Sequence, residues 1–363
     1  MTAQTEQPTP ESPEAPWLRR FSKFLVVATI ALIFVGGQVK SHDAGLSVPD
    51  WPSSYGQNML LYPVSEWDGG IFYEQSHRVL AFSVGVLSIL LCGWLLFGES
   101  HRWVKVLGFL ALGGVIAQGV LGGMTVLFVQ PAWLSSLHGV VAQGFLMLVI
   151  FIAYTQSRER ARRESSVGEV LPLPSAKPIL VLLAIVFIQL IVGAFMRHTE
   201  SGLAIPDFPL MAGGVVPWFT AASVEWVNTW RVDYAFETGR VLPEVTLSQI
   251  WVHFAHRAGA VLVLLSLAYA LIRTFKDREA SPHMWRGTML LGGLVAMQAT
   301  LGITTVLTQK VPLVTSLHVV TGAATLGYVT LLAFRALPLS WRTRRLERPS
   351  AATGGLAAQK VQT

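Results

Sequence analysis

One cysteine, Cys92, stands in the whole chain, and charged residues make up only 13% of it. A lone thiol excludes an intramolecular disulfide, a thiolate cluster and an iron–sulfur site within one chain. Set inside an apolar run, Cys92 reads as a small buried residue. The first 17 residues contain no lysine or arginine. They therefore lack both the charged-then-apolar order of a secretory signal and the arginine-rich character of a transit peptide. This stretch and the Ala/Gly-rich one after Pro349 are expected to be tails without fixed structure.

What the chain does have is apolar length. Hydrophobic residues make up 52% of it, and mean hydropathy is +0.51. Eight stretches reach the ~20 residues that a helix needs to cross a bilayer core: about 21–39, 79–97, 103–127, 133–155, 178–196, 254–272, 287–307 and 313–334. The net charge of +6 could suggest nucleic acid, but 20 of the 27 basic residues fall on one side of this eight-span arrangement. The positive-inside rule then places both termini in the cytoplasm, and no nucleic-acid partner is implied.

The chain is written twice. "AGLSVPDWP" (44–52) recurs as "SGLAIPDFP" (201–209), offset by 157; "GVIAQGVLGGMTVL" (114–127) recurs as "LVAMQATLGITTVL" (294–307), offset by 180. "SSLHGV" (135–140) recurs as "TSLHVV" (315–320), also offset by 180. The change of offset marks an insertion in the second copy's first outer loop, roughly 198–250. Four spans per copy mean that both copies enter the membrane the same way. The expected fold is an all-α membrane protein, two tandem four-helix bundles related by a pseudo-twofold axis along the membrane normal. The expected boundaries are a tail at 1–17, a first bundle at 18–156, a basic linker at 157–177, a second bundle at 178–338 and a tail at 339–363.

Of nine histidines, His101 and His283 fall in inner loops, and His42 and His198 in outer loops. His77, His138, His256 and His318 open spans two, four, six and eight. His138, His256 and His318 each lie 17 residues before an inner-boundary marker (Thr155, Arg273 and Arg335), and His77 lies 21 before Gly98. At 1.5 Å per residue, 17 residues put them roughly 25 Å above the inner face, at the outer edge of the core. One interfacial histidine is usually a satisfied polar residue; two per bundle at repeat-equivalent positions favour axial ligation of a haem. Neither half gathers the ligands a zinc site needs. Gly113, Gly114, Gly119, Gly122 and Gly123, with Gly292, Gly293 and Gly302, leave room for a macrocycle or close helix contact. Arg78 and Arg257 either snorkel to the interface or pair with haem propionates. Gln118 and Gln298 are expected to be interhelical hydrogen-bond donors. Trp51 and Phe208, in rigid Pro-Asp-aromatic-Pro turns, are interfacial and placed to cover the haem slots.

With "GLSVPDWP", "EQSHR", "SSLHG", "HFAHR" and "TSLH" in two repeats of four spans, the chain resembles the haem A synthase family from about residue 20 to 338. That resemblance implies oxidation of the C8 methyl group of haem O to a formyl group, giving haem A for terminal oxidases, in a bacterial-type cytoplasmic membrane. It implies that His77 and His138 hold the substrate haem, that His256 and His318 hold a resident haem b, and that Glu74 is the family's essential glutamate. Implied partners are haem O synthase, terminal oxidase assembly factors and an electron donor or acceptor; a homo-oligomer is compatible with all of these. The paired outer-loop cysteines of some members are absent, which removes any thiol step. If both first-half histidines stay bound, iron has no open position for oxygen; either one leaves, or water supplies the oxygen. A carboxylate at i and a histidine at i+3 share a helix face, so Glu74 is expected to point into the slot of His77 and to stabilise positive charge or accept a proton there. The other reading of Glu74 is an ion pair with Arg78. Two alternatives remain: a quinol-linked di-haem b electron-transfer cytochrome, which leaves Glu74 without a task, and a duplicated transporter, which leaves the matched histidine depths unexplained.

Overall fold

The computed structural model describes residues 16–165, 173–216 and 219–337. The expected tails lie outside these residues, apart from Pro16 and Trp17, which already belong to the first helix, and Arg163–Ser165 is followed by an undescribed part of the linker at 166–172. Among the described residues every regular element is a helix, and the isolated β-bridges lie in loops. Eight helices are long and apolar enough to cross a membrane: α1 Pro16–Ser41, α2 Gly70–Gly98, α3 Arg102–Leu127, α4 Ala132–Thr155, α6 Ala176–His198, α8 Leu247–Lys276, α9 Pro282–Leu307 and α10 Pro312–Ala336. Two more, α5 Arg158–Ser165 and α7 Ala221–Thr238, lie in the linker and the insertion. The protein is an all-helical, multi-pass membrane protein.

Helix ends follow local chemistry. Pro282 and Pro312 open α9 and α10, where a missing N–H costs nothing. Thr246 and Gln249 form a reciprocal capping box on α8, satisfying two donors that the first turn leaves free. The turns from α3 to α4 and from α9 to α10 each use two consecutive left-handed residues, Val129 and Gln130, then Gln309 and Lys310.

The helices begin earlier than hydropathy suggests, most of all α2, which starts at Gly70 rather than 79, and α8, at Leu247 rather than 254. A hydropathy window stops at Glu74, Gln75, His77 and Arg78, but the helix continues, with Glu74, Gln75 and Arg78 satisfied by protein groups. His198, expected in a loop, is the last residue of α6.

In the first half α1 packs on α2, α2 on α3, α3 on α4 and α4 back on α1. In the second the same order runs α6, α8, α9, α10 and back to α6. The halves meet along α1–α10, α4–α6 and α4–α10. Lipid tails give no hydrophobic drive between such helices, so close van der Waals fit must hold them. Gly327 shows that fit: a β-carbon there would stand 2.7 Å from Cδ1 of Ile150 across the α4–α10 seam. Large apolar side chains such as Ile89, Leu110, Leu265 and Leu290 point outward, as lipid-facing residues should.

Candidate functional site

The four histidines lie on α2 (His77), α4 (His138), α8 (His256) and α10 (His318), about two turns into each helix. Each ring lies against a glycine of the preceding membrane helix of its half. A β-carbon on Gly36 of α1 would stand 3.0 Å from Nε2 of His77, and one on Gly193 of α6 would stand 3.0 Å from Cε1 of His256. On Gly122 of α3 it would stand 3.3 Å from Cε1 of His138, and on Gly302 of α9, 2.9 Å from Cε1 of His318. The expected glycine stripe thus divides. Gly122 and Gly302 admit the imidazoles, Gly123 admits the Trp51 ring, Gly114 meets Phe145, and Gly113, Gly119 and Gly293 face open space.

The rings of His256 and His318 are 6.4 Å apart between centroids, with planes at 77°. A ligating imidazole nitrogen stands about 2 Å from its metal and about 1.1 Å from its own ring centre, so two rings on one iron stand about 6.3 Å apart. The separation fits a shared axial metal. His318 Nδ1 lies 3.1 Å from the carbonyl of Gln298; donating that N–H leaves Nε2 as the ligating nitrogen. In the first half, His138 Nδ1 is buried without a partner among the described residues.

Glutamines reach three of these histidines. Gln118 Nε2 donates to the carbonyl of His138 at 3.1 Å, and Gln298 Nε2 lies 3.4 Å from the His318 ring nitrogen Nε2, so that amide must turn away before this nitrogen can ligate. Gln189 on α6, which sequence reasoning passed over, donates to the carbonyl of His256 at 2.8 Å and lies 3.1 Å from its Nδ1. Its signal was a lone amide inside an apolar span; Leu32 stands at the matching position of the first copy.

Above each pair sits a loop cap, and the two caps are built alike. Arg78 Nη1 donates to the carbonyls of Asp50 (2.8 Å) and Ser53 (2.9 Å), and Nη2 to that of Val48 (2.8 Å) and to Glu74 Oε1 (2.7 Å). Arg257 Nη2 donates to the carbonyls of Ile205 (2.8 Å) and Asp207 (2.9 Å), and Nη1 to that of Leu210 (3.1 Å). The three acceptors in each cap correspond residue for residue at the 157 offset. Asp50 accepts the N–H groups of Tyr55 and Gly56, and Asp207 those of Ala212 and Gly213. Both caps contain a cis proline, Pro52 and Pro209. Burial works against the Asp50 carboxylate, but hydrogen bonds from Gly56, the Ser53 hydroxyl and Tyr55 outweigh it and hold its pKa at about 2.

All four terminal N–H groups of Arg78 and three of those of Arg257 bond within the protein, so both arginines pin the caps. Glu74 is 3% exposed, and both its oxygens are engaged: Oε2 accepts the Val48 N–H at 2.7 Å, and Oε1 pairs with Arg78. Its counterpart His253, 2% exposed, accepts the N–H of Ile205 on Nδ1 at 3.0 Å. That places the imidazole proton on Nε2, so the 3.3 Å approach of Arg257 Nε is a packing contact. A neutral imidazole therefore does the anchoring that the carboxylate does in the other copy.

Between the caps the halves are tied by charge. Lys40 and Lys310 pair with Glu200 at 2.5 and 3.0 Å, and Arg197 donates to the Gly37 carbonyl and the Ser41 hydroxyl at 2.7 and 2.9 Å. His42 stacks on Tyr73 and His101 pairs with Glu99, away from the four central rings. Among the described residues no group of three or more His, Cys, Asp or Glu forms a metal cluster.

Comparison with known proteins converges on one family. The model of the cytochrome oxidase assembly protein family (COX15-CtaA) matches residues 19–330. The chain is similar to "Heme A synthase" of Chelativorans sp. (strain BNC1), 28% identical over 343 residues, covering 86% of this chain and 89% of that protein. It is similar to "Heme A synthase" of Halalkalibacterium halodurans, 24% identical over 323 residues, covering 88% and 97%. With "Heme A synthase" of Shewanella oneidensis it shares 28% identity over 309 residues, 80% of this chain and 87% of that one.

Proposed function

From the premise that the chain belongs to the cytochrome oxidase assembly protein family, we propose that it is a haem A synthase, oxidising the C8 methyl group of haem O to a formyl group. The observation that carries this reading is the pair of histidine sites under replicate caps, with ring spacing in one of them suited to a shared iron. His77 and His138 hold the substrate haem, and His256 and His318 hold haem b. When bound, that haem would supply one-electron transfer. A pseudo-twofold axis along the membrane normal relates the halves, both termini face the cytoplasm, and the membrane is the bacterial inner one.

Written with water as the oxygen donor, methyl to formyl releases four protons and four electrons, and the electrons must pass one at a time to an external electron-acceptor partner. The first site therefore needs an anion or base beside the reacting carbon. Glu74, one turn before His77 on α2, is proposed for that role, stabilising the developing positive charge or taking the proton. The support is the comparison with position 253, where a neutral imidazole anchors the cap equally well. Anchoring the cap N–H alone does not call for a carboxylate, although Glu74 also forms the buried ion pair with Arg78 that is the other reading of this residue. Arg78 pins the cap to α2, and the glycine seats aim the imidazoles. Haem O synthase and oxidase assembly factors are the proposed partners upstream and downstream.

The test is the pigment of the purified protein. Haem B together with haem O or haem A, separated by chromatography after acid extraction, supports a synthase. Haem B alone at both sites, from cells that make haem O, identifies an electron-transfer cytochrome instead.

A further inference from the structure

The two caps are alike in their internal bonds but not in their surroundings. Leu46 is 42% exposed, whereas its counterpart Leu203 is 4%; Tyr55 is 45% exposed, whereas Ala212 at the matching position is 8%. The difference comes from the insertion. Helix α7 lays Val227 into a small apolar core with Ala204, Ile205, Ala212, Val245 and Ile250. Arg231, 5% exposed, donates from Nη2 to the carbonyl of Leu203 at 2.8 Å. Asn228 bonds both backbone groups of Val245, its Nδ2 to the carbonyl at 3.2 Å and its Oδ1 from the N–H at 2.9 Å. Trp226 covers Gly213, where a β-carbon would stand 3.4 Å from its Nε1. The first cap has no such helix; after Gln57 the chain makes one short turn, Val64–Glu66, and enters α2. Its brace from below is Gln75, which bonds Ser54 and the Met59 carbonyl.

We propose that α7 is a lock on the second cap, with Asn228 and Arg231 as positioning residues that keep the haem of His256 and His318 from exchanging, while the first cap, held from α2 by Glu74, Gln75 and Arg78, opens more readily for entry and exit. This rests on the assignment of substrate and resident haem made above. A cap can open only by losing the contacts that bury it, so local opening is rarer where more apolar surface and hydrogen bonding must be given up. Both sites can therefore hold a haem through the same two-histidine chemistry and yet differ in how long they keep it. A substrate site must turn its haem over, and an electron-relay site must not. The insertion gives one repeat that difference without altering a ligand.

The experiment follows haem loss from the full-length protein, purified with both pigments in detergent, into excess apomyoglobin. Haem B and the first-site pigment (haem O or haem A) are quantified separately by chromatography. In wild type, haem B should leave more slowly than the first-site pigment. Asn228→Ala should speed haem B loss by about tenfold, the effect of removing a pair of half-buried hydrogen bonds on a local opening equilibrium, and leave the first-site rate unchanged. Arg231→Ala should act in the same direction, and the thermal unfolding of each variant reports whether the whole fold has been weakened. Equal loss rates in wild type, an unchanged haem B rate in Asn228→Ala, or rates that rise together at both sites would overturn the lock while leaving the haem assignments standing. A wild type that purifies without haem B would overturn the resident-haem assignment itself, and the lock with it.

Discussion

Replacing Gly302 with alanine tests whether the glycine seats aim the imidazoles. The added carbon would stand 2.9 Å from Cε1 of His318, against about 3.5–4.0 Å for carbon atoms at their best separation. The ring or the helix must therefore give by roughly half an ångström or more. Neither has free room: α9 and α10 are in close contact, and the ring is tied through Nδ1 to the Gln298 carbonyl. Overpacking of this kind costs about 1–3 kcal/mol, or about 5- to 150-fold in the affinity of any group that needs the original ring position. Gly293→Ala on the same helix is the control, because nothing lies within 4 Å of its added carbon, and alanine improves helix propensity by about 1 kcal/mol. The assay is the low-spin haem spectrum and the ratio of haem B to protein, read on both variants after identical purification. Gly302→Ala should shift the spectrum or lower haem B content, and Gly293→Ala should do neither. Normal haem B and an unchanged spectrum in Gly302→Ala, or equal losses in both variants, would refute the seat.

Replacing His256 or His318 with alanine should abolish the low-spin bis-histidine signal of the resident haem, as read by absorption and electron paramagnetic resonance; its persistence in both variants would move the ligands elsewhere. Glu74→Gln should still bind haem O but yield little or no hydroxylated or formyl product, whereas His253→Gln keeps substantial activity; a wild-type haem A yield from Glu74→Gln would reduce residue 74 to a cap anchor. The first cap should also weaken in acid. Asp50 is held at about 2 in the folded cap, against about 3.9 when free, so its contribution is complete above the free value and fades as pH falls toward 2. Release of the first-site pigment should therefore accelerate below about pH 4, and Asp50→Asn should release it faster at neutral pH with a flatter acid limb. An identical acid profile in wild type and Asp50→Asn would remove that carboxylate from the cap's stability.

Hydropathy, repeat spacing and residue type are properties of neighbouring positions along the chain, and they were enough to determine eight membrane helices, two copies of the motifs and four histidines near the starts of four helices. A helix crossing a bilayer must satisfy its backbone internally, so an apolar run of sufficient length leaves few alternatives for its fold. Which groups meet across the bundle depends on helix rotation and crossing, which no local pattern encodes. Only the tertiary structure decided that Arg78 and Arg257 spend their donors on loop carbonyls, although their helical phase suited a propionate equally well. Only it paired Gly36, Gly122, Gly193 and Gly302 with the four rings, picking them from glycines that the sequence makes look alike. The role of α7 was hidden for a related reason. Its buried side is a narrow line of Ser223, Val227 and Arg231, with no apolar run to announce it, and its meaning lies in the cap it covers.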